Sequence, residues 1–248
     1  MSDPRMNEDC LFLDVHVPEN VFRNKNSKKK GVAVMAWIHG GGYDLGYKHD
    51  EQFDPAGLIT RSQINNQEGI IFVSLNYRLG MFGFLPGVGD SITRNVGFLD
   101  QRLALDWIQK HIRAFGGDPH RVTIIGSSAG AGSVMHQITA FGGEGKVPFS
   151  SAIAQSPSVR ATINDTEVWE KTIQAASTVL GEEIETAEQL RQLNSSVLMN
   201  VNQAVVFNGS YGLFTYGPTV DGTFVPDIPS VLLLNGRFHD DVKVSQES

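Results

Sequence analysis

The chain has 248 residues, of which 41% are hydrophobic and 19% are charged, and its formal net charge is -7. This length is sufficient for one globular core, and no stretch approaches the ~18 consecutive apolar residues that a membrane-spanning helix needs. A mildly acidic chain whose only basic run covers residues 28–30 gives no support to nucleic-acid binding.

Three segments near the N-terminus have the spacing of β-strands. Within residues 11–17 every second residue is a leucine or valine, which is the period-two pattern of a strand with one buried face. The runs Val32–Ile38 and Ile70–Leu75 are nearly continuous in apolar and β-branched residues. Such runs are typical of central strands that helices cover on both faces.

The period changes between residues 95 and 115, where large apolar side chains recur at helical spacing. We expect these side chains to share one buried face of a helix that ends at residues 116–119. The members of this predicted face are Leu99, Leu103, Trp107, Ile108, Ile112 and Phe115.

The middle of the chain continues to alternate between strand and helix patterns. Residues 122–125 form a short apolar run, residues 129–141 have the small side chains of a closely packed helix, and residues 152–154 form another short apolar run. Alternation of this kind predicts the α/β class, with a mixed or parallel sheet and helices on its faces.

The pattern differs after residue 165, where two helices follow each other without a strand between them. They are predicted at Thr166–Leu180 and at 187–193, the second introduced by Thr186 and Gln189 at the spacing of a capping box. No linker or repeat separates two units. We therefore predict one domain over residues 1–248, in which 166–210 is a helical, cap-like insertion.

A glycine-bracketed serine lies between the predicted strand at 122–125 and the helix at 129–141. Residues 126–130 fit the pattern G-x-S-x-G, whose meaning depends on this strand-to-helix context. Side chains two positions before or after the serine would collide across so sharp a turn, so glycine is required there. Ser128 is therefore the candidate nucleophile.

A second glycine-rich segment, residues 39–43, follows the strand Val32–Ile38. Glycines let backbone N–H groups approach a developing oxyanion closely. Either motif alone also fits an ordinary turn or loop, but the two motifs in this chain order together indicate acyl transfer. We predict that Ser128 attacks an ester carbonyl while the amides of Gly41, Gly42 and Ala129 bind the oxyanion.

With these motifs, the chain resembles the type-B carboxylesterases, a family that also contains cholinesterases and fungal lipases. The resemblance implies an α/β-hydrolase sheet, a triad of Ser, Glu or Asp, and His in that order, and no metal or organic cofactor. Ser127 stands where the family often has Glu, which favours an uncharged acyl ester as substrate. The segments that carry the resemblance are 8–11, 76–78, 83–85, 95–102, 115–119 and 217–222.

The same resemblance implies that the fold is incomplete at both ends of this chain. Cys10 is similar to the second cysteine of a family disulfide whose first partner lies upstream, and the family's catalytic acid follows a strand similar to residues 242–244. The acid and the histidine of the triad would then be missing, and this chain alone would be inactive or nearly so. Arg78 and Asp100 resemble an internal salt bridge of the family, which we expect to be buried or half-buried.

Two alternatives remain at the sequence level. His136 lies eight positions beyond Ser128 on one helix, ~12 Å away, and cannot be its base. Asp221 with His239 would satisfy the triad order in a compact, complete esterase. A non-catalytic, cholinesterase-like binding protein is the second alternative, although such proteins typically lose the nucleophile.

The sequence predicts no oligomeric state. It also leaves the compartment open, because it shows no secretory signal and secretion would require a start further upstream.

Overall fold

Six strands form one mixed sheet in a computed structural model that describes residues 6–26, 30–87, 92–159, 161, 166–209 and 214–247. Residues 28 and 29 of the basic run and residue 210 of the predicted insertion lie outside these ranges. The strands are β1 (Leu13–His16), β2 (Val32–Ile38), β3 (Ile70–Leu75), β4 (Gly117–Ser127), β5 (Ser151–Gln155) and β6 (Lys243–Glu247).

The strand order is β1-β3-β2-β4-β5-β6. Only β1 is antiparallel to its neighbour, while the other four pairs are parallel. The mostly parallel sheet predicted from the alternation of strands and helices is therefore confirmed. The helices are α1 (Glu19–Arg23), α2 (Ala56–Arg61), α3 (Gly80–Phe84), α4 (Val96–His111), α5 (Ala129–Thr139), α6 (Thr166–Leu180), α7 (Ala187–Arg191), α8 (Ser195–Phe207) and α9 (Pro229–Leu234).

The central strands have the predicted bounds, and β1 is shorter than its pattern. Residues 32–38 and 70–75 are strands throughout, and their inward side chains are almost fully buried. In contrast, Leu11 and Phe12 are exposed and precede β1, which pairs only with β3. An edge strand has a single neighbour, so fewer hydrogen bonds hold its ends in register.

Helix α4 buries a different face from the one predicted. Leu99 and Leu103 are 37% and 64% exposed, so the prediction was wrong for these two residues. The residues that α4 buries, at i, i+3 and i+4 spacing, include the polar Gln101. Its amide donates to Ser133 Oγ at 3.0 Å, which satisfies the buried polar group. Because Gln101 is polar, the spacing of apolar residues did not identify the buried face of the helix. The buried residues along this face are Phe98, Gln101, Leu105, Ile108 and Ile112.

The segment after residue 165 is helical, as predicted, and contains one helix more than expected. Helix α6 has the predicted bounds, and the capping box of α7 is present, because Thr186 Oγ1 accepts from Gln189 N at 3.2 Å and Gln189 Oε1 accepts from Thr186 N at 2.9 Å. Helix α8, which packs on α6, was missed. Its sequence is uncharged and rich in valine and asparagine, so it shows no clear polar face.

Within the described ranges, none of the helices is both long and apolar enough to cross a bilayer. The same ranges contain no group of three or more His, Cys, Asp or Glu side chains placed to hold a metal ion.

Candidate active site

Ser128 is located at the sharp turn between β4 and α5. Its backbone dihedrals are φ 56° and ψ -120°, a strained conformation for a non-glycine residue, and its side chain is exposed. The Ser128 N–H donates to the Gln155 carbonyl at 3.0 Å, and its carbonyl accepts from Gly132 N at 2.9 Å and Ser158 N at 3.2 Å. The strained strand-to-helix turn that the motif predicted is therefore present, and these bonds to α5 and to the segment at the end of β5 hold it.

Glycine is sterically required on both sides of this turn. A Cβ atom on Gly126 would overlap the backbone of Gly130, and one on Gly130 would overlap the Ile38 carbonyl and lie 2.8 Å from the His39 carbonyl. The predicted collision across the serine turn is therefore confirmed. Strand β2 also ends directly beside this turn, so the two motifs meet at the carboxyl edge of the sheet.

The glycine loop, residues 39–46, lies next to Ser128. A Cβ on Gly40 would be 3.3 Å from Ser128 Cβ and 2.7 Å from the Ser127 carbonyl oxygen. Gly41 and Gly42 follow directly, and consecutive Cα atoms are ~3.8 Å apart, so they remain within about 10 Å of the serine. Ala129 is the first residue of α5 and fully buried. The chain therefore brings the four predicted site residues into one region.

The glycine loop is wound by three successive residues with positive φ. Gly41, Gly42 and Tyr43 have φ values of 107°, 65° and 68°, and the amides of Asp44 and Leu45 both donate to the Gly41 carbonyl, at 3.1 and 2.9 Å. Glycine adopts such values without strain, whereas Tyr43 does not. Surrounding contacts must therefore hold Tyr43 in this conformation.

Those contacts come from the core and from distant segments. The Tyr43 ring is buried against Phe84 and Phe98, with centroids 4.9 and 5.9 Å away. The Tyr43 carbonyl accepts from Gly80 N at 2.7 Å. Asp44 Oδ2 accepts from Thr215 N at 3.0 Å. The local sequence pattern gave no signal for these contacts, since each joins residues far apart in the chain.

His39 is buried at the start of the glycine loop, and its contacts stabilise the loop. Its ring stacks on Tyr77 at 4.5 Å, and Tyr77 Oη donates to the His39 carbonyl at 2.8 Å. Its Nδ1 lies 2.9 Å from the Gly40 carbonyl, an acceptor, so Nδ1 carries the proton. Burial lowers the pKa of His39 to about 4, so the ring is neutral at neutral pH.

Phe214 borders the site from a distant part of the chain. A Cβ on Gly42 would overlap the Phe214 ring, so the ring lies directly against this glycine. Phe214 is 45% exposed and therefore presents an apolar surface beside the candidate oxyanion hole. The sequence does not predict this contact, because no motif links Phe214 to the glycine loop.

The two histidines that follow Ser128 in the chain, His136 and His239, both lie in the described ranges and far from its hydroxyl. His136 is buried within α5, and its ring packs on Phe98 at 4.7 Å. His239 N donates to the carbonyl of Ile138 at 3.0 Å. Ile138 is ten residues beyond Ser128 on α5, ~15 Å away at 1.5 Å per residue. His239 thus lies at the far end of the helix.

Asp221 is engaged in its own loop. Its Oδ2 accepts from Asn95 Nδ2 at 2.7 Å, and its Oδ1 accepts from Thr223 N at 2.8 Å and Val225 N at 2.9 Å. Together with the position of His239, this geometry contradicts the compact alternative of Ser128, Asp221 and His239. The order of the three residues in the chain was compatible with a triad, but the length of α5 separates His239 from Ser128.

The predicted ion pair between Arg78 and Asp100 is present. Arg78 Nε and Nη2 donate to the two carboxylate oxygens at 2.8 and 2.7 Å, and Arg78 N donates to Oδ2 at 3.1 Å. The pair joins the segment after β3 to α4, and its bonds raise the pKa of Arg78. The Arg78 side chain is 39% exposed and that of Asp100 only 4%, so the pair is half-buried.

The nearby Cys10 is half-buried, and burial raises the pKa of its thiol.

Comparison with known sequences gives one consistent family. The model of the carboxylesterase family matches residues 1–244. Carboxylesterase patB of Aspergillus clavatus is 41% identical over 98% of this chain and 44% of its own length. Lipase 2 of Geotrichum candidum is 37% identical over 94% of this chain and 43% of its own length. An acetylcholinesterase of Danio rerio is 37% identical over 94% of this chain and 36% of its own length.

Solved structures agree with the sequence relatives. A PNB esterase superposes with a TM-score of 0.80 at 29% identity, covering 99% of this chain and 50% of the esterase. Aspergillus niger EstA also gives a TM-score of 0.80, at 30% identity, covering 99% of this chain and 46% of that one. This chain spans less than half the length of the curated relatives named above. The mixed sheet with its flanking helices is that of the α/β-hydrolases, and the match over residues 1–244 shows that the chain belongs to the carboxylesterase family.

Proposed function

We propose that this chain carries the nucleophile and the oxyanion hole of an enzyme that hydrolyses carboxylic esters through an acyl-enzyme. The observation that carries the proposal is the contact between two motifs: the strained, exposed Ser128 lies against the glycine loop. Membership of the carboxylesterase family supports the same reaction class.

In the proposed reaction Ser128 Oγ attacks the carbonyl carbon of the ester. Its proton passes to a general base, and the carbonyl oxygen becomes an oxyanion that accepts hydrogen bonds from the amides of Gly41, Gly42 and Ala129. The C–O bond to the alcohol then breaks, and the base returns its proton to the leaving oxygen. Water hydrolyses the acyl-enzyme by the same route. Each oxyanion donor contributes roughly 3 to 4 kcal/mol to transition-state stabilisation.

We further propose that the base and the acid of the triad come from sequence outside these 248 residues. The support is that His39 is held under the glycine loop, and His136 and His239 lie along or beyond α5, away from the nucleophile. The relatives are more than twice as long as the segment that they share with this chain. Chain 1–248 alone is then inactive or nearly so.

The substrate class that we propose is a small, uncharged acyl ester. Ser127 precedes the nucleophile, so no carboxylate at this position attracts a cationic substrate. The Phe214 ring against Gly42 adds an apolar wall beside the candidate oxyanion hole. No metal or organic cofactor enters the proposed chemistry, because the serine, the amides and a protein base carry every step.

The proposal is tested by hydrolysis of p-nitrophenyl acetate, an activated, uncharged aryl ester. Chain 1–248 should show only a residual, Ser128-dependent rate, roughly 10³- to 10⁴-fold over water, because an oxyanion hole and binding act without a base. Ser128→Ala should abolish this rate, and His239→Ala should leave it unchanged. A polypeptide that continues past residue 248 and supplies the base should be faster by several orders of magnitude.

Two outcomes would overturn the proposal. If Ser128→Ala does not lower hydrolysis in any form of the protein, Ser128 is not the nucleophile. If chain 1–248 reaches a kcat/KM near 10⁴ M⁻¹s⁻¹, about the lower edge of ordinary enzymes, its base lies within these residues.

A further inference from the structure

Helix α3 begins without a cap of its own. Its N-cap residue, Leu79, has no side-chain acceptor for the first free N–H groups of the helix. The acceptor comes instead from α8: Asn202 Oδ1 accepts from Met81 N at 2.8 Å. Because a backbone N–H can only donate, the amide oxygen of Asn202 must face Met81. A residue 121 positions away therefore caps this helix.

The packing at this cap leaves no room for a side chain at residue 80. A Cβ on Gly80, which has φ 55°, would overlap Asn202 Oδ1 and lie about 3.0 Å from Asn202 Cγ. Helix α8 is therefore pressed directly on the first turn of α3. The exact placement of that turn depends on the Asn202 amide.

The first turn of α3 is hydrogen-bonded to the glycine loop. Gly80 N donates to the Tyr43 carbonyl at 2.7 Å, and Tyr43 is the last of the three residues with positive φ that wind the loop. Tyr43 does not adopt φ 68° without support from its surroundings. One chain of contacts thus runs from Asn202 through residues 80 and 81 to Tyr43 and to the amides of Gly41 and Gly42.

We propose that Asn202 is a positioning residue for the oxyanion hole: it fixes the first turn of α3, which holds Tyr43 and thereby the amides of Gly41 and Gly42. This inference rests on the proposed function of those amides. It also gives the helical segment a role in catalysis, because α8 acts on the glycine loop without touching Ser128 or the substrate.

The first test is hydrogen–deuterium exchange of the chain as it is, which needs no catalytic activity. Asn202→Leu keeps the size of the side chain and removes the acceptor, so exchange in peptides covering residues 40–46 and 79–84 should accelerate roughly five- to tenfold. Asn202→Asp retains an acceptor oxygen and should restore slow exchange. Asn200→Leu changes the same residue type at an exposed position of α8 and is the matched control.

The second test is Ser128-dependent hydrolysis of p-nitrophenyl acetate, taken as the rate above that of Ser128→Ala. Asn202→Leu should lower kcat roughly 10- to 100-fold with little change in KM, because misplaced oxyanion donors affect the transition state and not the bound ester. Asn202→Asp should recover most of kcat, and Asn200→Leu should match the unsubstituted protein.

The outcomes separate this inference from the proposed function. If Asn202→Leu leaves exchange in residues 40–46 unchanged, or accelerates exchange equally throughout the chain, Asn202 does not position the loop. If exchange accelerates in the loop but kcat is unchanged, the coupling exists and the oxyanion role of Gly41 and Gly42 is wrong. Selective acceleration together with a lower kcat, both reversed by Asn202→Asp, supports the proposal.

Discussion

Two ionisable side chains, Asp100 and His39, are almost fully buried, and the protein accommodates them in different ways. Asp100 is paired with Arg78, which donates three hydrogen bonds to its carboxylate oxygens. His39 is instead neutral, because burial lowers its pKa to about 4 and its ring donates only to the Gly40 carbonyl. Removal of Arg78 therefore leaves a buried carboxylate without its side-chain partner, whereas a fall in pH forces a charge onto the buried His39 ring.

Arg78→Ala should lower the free energy of unfolding by about 2 kcal/mol. A fully buried pair costs about 3 to 5 kcal/mol when one partner is removed, but water reaches the Arg78 side, which is 39% exposed, and the Arg78 backbone N–H would still bond to Asp100. Urea denaturation of the unsubstituted protein and of Arg78→Ala measures this difference in the free energy of unfolding. Arg191→Ala, which removes an exposed pair with Glu188, is the control and should change stability by less than about 0.5 kcal/mol. Equal effects of the two substitutions would show that the Asp100 pair is effectively solvated.

The stability of the protein should fall between about pH 6.5 and pH 4 because of His39. The folded-state pKa of about 4 lies below the ordinary value of 6.5, so in this window the unfolded chain binds more protons. The contribution of His39 is complete above pH 6.5 and is lost as the pH falls; between pH 7 and pH 5 the loss is about 2 kcal/mol.

The measurement is urea denaturation at both pH values for the unsubstituted protein and for His39→Gln. Other groups, including His239, whose pKa burial also lowers, contribute equally to both proteins. The difference between the two pH dependences therefore isolates His39. An identical pH dependence would mean that His39 is not held neutral by the fold.

At the scale of secondary-structure elements, the site depends on how β4 changes into α5. Every residue of α5 is buried, so this helix has little freedom to move when the turn before it changes. The turn places Ser128 outward only because Gly126 and Gly130 let β4 and α5 approach within contact of each other and of β2. A single added methyl group at this junction would therefore disturb the packing of β4, α5 and β2 together.

Gly126→Ala should destabilise the protein by roughly 1 to 3 kcal/mol and reduce Ser128-dependent hydrolysis, because the new Cβ overlaps the backbone of Gly130, which cannot rotate away. Gly57→Ala is the matched control: residue 57 lies in α2, where a Cβ meets nothing within 4 Å. This substitution should be neutral or stabilise by up to about 1 kcal/mol through helix propensity. If both substitutions have the same effect, steric exclusion does not explain the glycine at 126.

At the scale of the whole molecule, the candidate site is assembled from three segments that are far apart in sequence. The glycine loop follows β2, the turn with Ser128 follows β4, and the segment with Phe214 and Thr215 comes after the helical region. Parallel strands bring the first two to the same edge of the sheet, where ligands of open α/β sheets bind. The third segment reaches the site through its contacts with Gly42 and Asp44.

Local sequence patterns predict most of the elements and both glycine motifs. The strands at 32–38 and 70–75, the helix at 166–180, the capping box of α7 and the glycines around Ser128 all follow from interactions between residues close in the chain: hydrophobic period, a side chain bonding a nearby N–H, and steric exclusion in a tight turn. Such interactions are visible in a short window of sequence.

The surfaces that these elements bury and the residues that they contact depend on long-range packing. Gln101 is buried and Leu103 exposed on α4 because Ser133, 32 residues later, supplies the hydrogen bond that burial of an amide requires. His239 is excluded as a base because it lies at the far end of α5. The contacts of Phe214 with Gly42 and of Asn202 with Met81 join residues more than a hundred positions apart. No local period encodes such contacts, since they depend on how the chain brings distant segments together around the sheet.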